Sequence, residues 1–271
     1  MIVKQKLLLV GCGKMGSALL AGWLGRDIDD IDVAVVEPYT RNFIENGFNV
    51  PVVNSLDKLN VEFKPNIIVF AVKPQAMDQI VPNYGHFVGP KTMFLSIAAG
   101  KPTEYFQHRL GNEAAVVRSM PNTPAAVGRG ITVAYRNDAV TNAQKLIATK
   151  LLGAVGEVGW VEDESLIDGV TAISGSGPAY VFLLIECLAQ AGARVGLAPD
   201  LAAQLALATV AGSGELARQS TDNASVLRQN VTSPGGTTAA ALDVLMGKNG
   251  LQELISQAVL AAERRSRELS S

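Results

Sequence analysis

LLLVGCGKMGSALLAGWLG, residues 7–25, sets four apolar residues, a glycine-rich hexapeptide and a helix-compatible run in direct succession. The apolar run reads as a short buried strand, and the small and straight-chain residues that follow favour a helix. Gly11, Gly13 and Gly16 keep the spacing GxGxxG. In that pattern the first glycine permits a tight turn, the second lets a ligand approach the backbone, and the third lets helix and strand pack closely. Glycines also serve ordinary turns, so the bare spacing is weak. Its setting strengthens it, because Glu37 closes the next apolar strand 21 residues after Gly16. A helix N-terminus there offers unpaired amides and the positive end of a dipole, which suit a pyrophosphate. The expected ligand is a dinucleotide held by Gly11, Gly13, Lys14, Met15 and Gly16.

Glu37 is placed to hydrogen-bond the adenosine ribose, which favours NAD by repelling a 2′-phosphate. Arg41, four residues on, either pairs with that phosphate or is a solvated helix residue. NADH and NADPH both stay open.

Beyond this unit, AVVE (34–37), NIIVFAV (66–72), MFLSIAA (93–99) and AAVVRSM (114–120) are apolar runs separated by stretches of helix-compatible length. Unbroken apolar strands alternating with helices indicate a parallel sheet covered on both faces. ITVAYR (131–136), a helical run around 139–152 and AVGEVGWV (154–161) extend the sheet edge. From Glu162 onward strand patterns vanish. Residues 178–196 and 199–219 each begin with proline at a first helical position and are apolar or small nearly all round, where a surface helix carries one stripe. A domain of this size has limited capacity to bury them, so a second subunit is expected to cover them, as a two-fold homodimer or an assembly of dimers. The alternative is a central helix wrapped by its own neighbours. The expected fold class is α/β: a Rossmann-like doubly wound sheet over residues 1–161, then an all-helical domain over 162–271 for substrate binding and dimerisation.

With 271 residues, 48% of them hydrophobic, two domains with a substantial core fit. The balance of 23 basic against 25 acidic residues offers no broad attraction to nucleic acid or membrane phosphates, so a small metabolite fits better. The apolar run in MIVKQKLLLV is too short for a secretory signal, and no other run approaches the roughly 20 apolar residues that cross a bilayer, Glu186 interrupting the best candidate. Cys12 and Cys187 form no disulfide framework. The expected setting is the cytoplasm.

Elimination narrows the chemistry. His86 and His108 are the only histidines and read as exposed or capping residues, so no zinc site is expected. GSG at 175–177 lacks the strand-turn-helix setting of a nucleophilic serine. Proton-transfer groups are therefore sparse. Ketone reduction leaves an alkoxide and needs an acid beside it, whereas a basic cyclic imine arrives protonated and accepts hydride without a strong enzymic acid. What remains is to orient two partners.

The loop GCGKMG, AVKP (71–74), SIAAG (96–100), MPNTP (120–124), ISGSGPAY (173–180) and NVTSPGGTT (230–238), in that order, resemble pyrroline-5-carboxylate reductase over essentially the whole chain. The resemblance implies an oxidoreductase of proline biosynthesis that reduces the cyclic imine L-1-pyrroline-5-carboxylate with NADPH or NADH. It implies that Val72, Lys73, Ile97 and Ala99 line the cofactor cleft, that Asn54 lies near the adenosine ribose and that Asn230 approaches the nicotinamide. It also implies that Ser233, Gly236 and Thr237 cradle the substrate carboxylate, and that the hydroxyl of Thr238 meets the ring nitrogen as the catalytic group. Glu164 matches an acidic residue near the substrate; from its position alone it is equally the first-turn carboxylate of a helix over 164–172. Two rivals are a β-hydroxyacid dehydrogenase, whose helix lysine has an apolar counterpart here near Val181, and a protein that binds NAD(P)H without turnover.

Overall fold

A computed structural model describes residues 4–25, 31–39 and 47–270. Eight strands form one sheet: β1 (Gln5–Val10), β2 (Ile31–Val36), β3 (Val52–Val53), β4 (Ile67–Phe70), β5 (Met93–Ser96), β6 (Ala115–Met120), β7 (Gly130–Arg136) and β8 (Gly156–Trp160), in the order β3-β2-β1-β4-β5-β6-β7-β8. The first six are mutually parallel, as the alternating pattern indicates.

The central strands are apolar over most of their length because both faces are covered, with Ser96, Arg118 and Ser119 as buried polar exceptions. Leu7, Leu9, Val69, Leu95 and Val117 face a core completed by Leu19, Leu20 and Trp23 of α1 (Lys14–Gly25) and by Leu151 and Leu152 of α4 (Asn142–Gly153). Leu8, Ile68, Phe70, Phe94 and Val116 face the opposite one, with Met77 of α2 (Met77–Ile80), Tyr84, and Phe106 of α3 (Thr103–Leu110). Successive residues thus alternate between two cores, as a strand's two-residue period requires. The Trp23 indole donates to the Leu151 carbonyl at 2.9 Å, tying α1 to α4. Thr141 and Gln144 close a capping box at the start of α4.

β7 runs antiparallel to β6. Only residues 121–129 separate them, and a parallel return needs a crossover of about a dozen residues or more. β4 stops at Phe70 and β5 at Ser96, short of the apolar runs that contain them. Residues 71–73 and 97–102 are left as loops at the C-terminal edge of the sheet, where ligands of open α/β sheets bind.

The chain forms two compact units, residues 1–175 with 263–271, and residues 176–262. The first continues through α5 (Leu166–Val170) and a π-helical turn, Thr171–Gly175, because Ile167, Asp168 and Ala172 are buried there. An added Cβ on Gly175 would lie 2.5 Å from Met120 at the end of β6.

The second unit holds α6 (Gly177–Arg194), α7 (Pro199–Gln219), α8 (Ala224–Asn230), α9 (Thr237–Leu245) and most of α10 (Leu251–Ser270). α6 and α7 meet through small side chains: an added methyl on Gly192 would sit 3.0 Å from the Ala202 Cβ. No residue of α6 is buried in the single chain, and Phe182 remains 59% exposed. Residues 166–194 run as 29 continuous helical residues, apolar and long enough by composition to cross a membrane. The helix passes into α6 through the π turn Thr171–Gly175, and its N-terminal part is buried at Ile167 and Ala172.

Candidate active site

The glycine loop separates three demands on three glycines. Gly11 has φ +90°, and an added Cβ would meet the Val72 side chain at 2.6 Å and the Ala71 carbonyl at 2.9 Å. Gly16 lies against the Gly11 carbonyl, 2.6 Å from where its Cβ would be. Gly13 has nothing within 4 Å of that position. Protein packing therefore requires glycine at positions 11 and 16 but not at 13. The Gly11 N–H donates to the Val36 carbonyl at 2.9 Å, which aims the loop across the ends of β1 and β2. α1 opens at Lys14 with no acidic side chain in its first turn.

Glu37, buried at the end of β2, turns back to this loop. Its Oε2 accepts the Cys12 N–H at 2.6 Å and its Oε1 accepts the Tyr39 N–H at 2.9 Å. A carboxylate has about four acceptor positions, so both oxygens keep capacity for ribose hydroxyls. The carboxylate thus shapes the loop as well as charging it, a role the sequence spacing did not announce. Burial pushes the Cys12 thiol up, and the Glu37 charge adds to the shift against a lowering hydrogen bond from Ser17. Cys12 stays a protonated, small core residue. Arg41 lies outside the described residues.

Val72 and Lys73 follow β4, and Ile97 and Ala99 follow β5, so the sheet brings these four to the same edge as Gly11–Gly16. Asn54 comes directly after β3, exposed, its Oδ1 accepting the Ser55 hydroxyl at 3.2 Å. His86 lies elsewhere: with Ser55, Phe63, Asn83 and Thr92 it lines a cavity of about 960 Å³ beside the start of β5, which none of the expected site residues lines. His108 is on the surface, 3.5 Å from Glu104.

In the helical unit, Asn230 ends α8 and the chain turns at Gly235, φ +70°. The Gly236 N–H donates to the Ser233 carbonyl at 3.0 Å, and Gly236 then serves as N-cap of α9 without any side-chain cap. The first turn of α9 has no acidic residue. The amides of Thr237, Thr238 and Ala239 therefore lack intrahelical acceptors and point outward from the helix start. Ser233, Gly236, Thr237 and Thr238 are gathered within this one turn. Thr232, by contrast, spends its hydroxyl on the Arg228 carbonyl at 2.6 Å.

Glu164 is found in the sheet unit. Its Oε1 accepts the Thr103 N–H at 2.7 Å and Arg118 Nη1 at 3.2 Å, while Oε2 accepts the Thr103 hydroxyl at 2.6 Å. It caps α3, a helix distant in sequence, instead of the helix that follows it. Arg118 was missed at the sequence level, although a guanidinium inside the apolar strand AAVVRSM has to find a buried carboxylate.

A family model described as pyrroline-5-carboxylate reductase dimerisation matches residues 164–269. The chain is 38% identical to a pyrroline-5-carboxylate reductase of Pseudomonas aeruginosa, over 98% of this chain and 97% of the relative. It superposes on a pyrroline-5-carboxylate reductase from Coxiella burnetii with a TM-score of 0.90 at 32% identity, covering 99% of each chain. A Plasmodium falciparum pyrroline carboxylate reductase with NADP bound superposes with a TM-score of 0.82 at 32% identity, over 99% of this chain and 100% of that one.

The unequal packing of the loop glycines predicts unequal effects on stability. Gly16→Ala should lower folding stability by about 1–3 kcal/mol, and Gly13→Ala should leave it within about 0.5 kcal/mol. Denaturant unfolding of the two variants checks this, and equal losses would contradict it.

Proposed function

The chain belongs to the pyrroline-5-carboxylate reductase family, and on that premise we propose that it reduces L-1-pyrroline-5-carboxylate to L-proline with a hydride from NADH or NADPH. The observation that carries the reading is the uncapped, acid-free start of α9 beside the hydroxyls of Ser233, Thr237 and Thr238. An anion is favoured there by backbone amides and the helix dipole without any basic side chain.

The residues present fit a dinucleotide. The open space over Gly13 leaves room for a pyrophosphate at the start of α1, where Lys14 and Met15 supply further amides. Glu37 takes the ribose hydroxyls, with Asn54 beside them, while Val72, Lys73, Ile97 and Ala99 line the cleft and Asn230 attends the nicotinamide end. Bound NAD(P)H supplies the hydride. Ser233, Gly236 and Thr237 hold the substrate carboxylate and so fix the ring. Thr238 accepts the N–H of the protonated ring nitrogen and orients it. Its hydroxyl is too weak an acid to drive protonation, which the basic imine has already undergone. Residues 1–161 serve the dinucleotide, and residues 162–271 serve substrate and subunit contact.

The apolar faces of α6 and α7, exposed in one chain, are covered by a second copy. The protein works as a homodimer, alone or in an assembly of dimers, in the cytoplasm. The partner subunit's cover over α6 leaves no face for a bilayer, and the near-balanced charge leaves none for nucleic acid.

Mixing protein, NADPH or NADH, and the imine should lower nicotinamide absorbance and yield proline. Absorbance that falls only with a hydroxy- or keto-acid pair would favour a dehydrogenase, and binding without any turnover would favour a sensor. Thr238→Ala should lower kcat by roughly 10²-fold through loss of orientation while the coenzyme Kd stays within about twofold. Unchanged kcat would remove Thr238 from the mechanism. Glu37→Ser should move the ratio of kcat/KM values toward NADPH by roughly tenfold, about 1.4 kcal/mol of relieved repulsion. Loosening of the loop at the Cys12 amide affects both coenzymes alike and cancels in the ratio. A ratio that does not move would remove Glu37 from coenzyme choice.

A further inference from the structure

Arg118 lies within β6 at 3% exposure, and its surroundings connect three segments of the sheet unit. Nη1 donates to Glu164, whose carboxylate holds the N–H and hydroxyl of Thr103. Nη2 lies 3.8 Å from Asp168 Oδ1 and makes no hydrogen bond. Asp168 Oδ1 in turn accepts the hydroxyl of Ser266 at 2.7 Å and that of Ser270 at 3.4 Å, both in the last turns of α10.

The same turns press on the loop 97–102. Gly100 has φ +70°, and an added Cβ would sit 2.8 Å from the Leu269 carbonyl. At its start, the loop is fixed by Ser119, which donates to the Ser96 carbonyl at 2.9 Å, and by the Ala98 N–H, which donates to Ser96 Oγ at 3.2 Å. At its end stands Thr103, clasped by Glu164. The loop carrying Ile97 and Ala99 is thus held before, behind and in the middle.

Buried ion pairs are poor stabilisers, since desolvation offsets most of their attraction and well-packed apolar groups often do as well. Their directional contacts fix position instead. We infer that Arg118, acting through Glu164 and Asp168 together with the last turns of α10, is a positioning residue for the loop that lines the cofactor cleft. This rests on the cofactor reading above.

Ser266→Ala with Ser270→Ala removes the two hydroxyls on Asp168 and leaves helix packing in place; Arg118→Lys keeps the charge but loses the forked geometry. Titrating NADH and NADPH by fluorescence, without imine, should show Kd raised roughly fivefold to twentyfold for both coenzymes in the double serine variant. Arg118→Lys should fall between that variant and the starting protein. A merely structural role would lower the unfolding midpoint and leave Kd of the folded protein unchanged. That result overturns the inference, and the serine variant decides it even if Arg118→Lys fails to fold. Because binding is read without imine, a protein that binds NADH yet leaves the imine unreduced would overturn the reductase reading alone. One that binds neither coenzyme would overturn both.

Discussion

An anion held by backbone amides needs a helix start that nothing else occupies, and among the described residues two helices begin that way. α1 and α9 have neither an acidic residue in the first turn nor a side-chain cap among their described contacts. Other helices are closed: α4 by Thr141, α8 by Asn223, and α3 by Glu164 from 61 residues away. α6 and α7 carry proline in the first turn, which removes a donor. The two open starts fall in the two glycine-bearing motifs, GCGKMG and SPGGTT. On the reading proposed above, these two starts hold the two anions of a nicotinamide-dependent imine reduction, a pyrophosphate at α1 and a carboxylate at α9.

The absence of charge in the second turn follows from the chemistry. A lysine there would bind the carboxylate more strongly, but its positive charge would also oppose an imine that reacts as a cation. In the proposed site, amide dipoles and hydroxyls would hold the anion without adding a full charge beside the ring. The account asks of Thr238 only direction and of Ser233, Gly236 and Thr237 only grip.

Much of the fold was legible in local sequence. Leu7–Gly16 announces its strand, turn and helix because each demand is met by neighbours within a few residues, and Glu37 could be placed because β1 and β2 pair in register. The antiparallel turn of β7 was also readable, in retrospect, from the short link after Met120. What stayed hidden depends on distance in the chain. Arg118 meets Glu164 46 residues on, and Asp168 meets Ser266 98 residues on, so no window of sequence contains either pair. The helix through ISGSG escaped for another reason: glycine and serine weaken a helix in isolation, and the packing of Ile167 and Ala172 overrides that preference.

The central claim is direct hydride transfer from the nicotinamide to the imine carbon. The most direct test supplies NADH deuterated at both C4 positions of the nicotinamide together with pyrroline-5-carboxylate, and reads the proline formed by mass spectrometry. The account predicts proline carrying a single deuterium at Cδ. Unlabelled proline, or label at any other carbon, would contradict it.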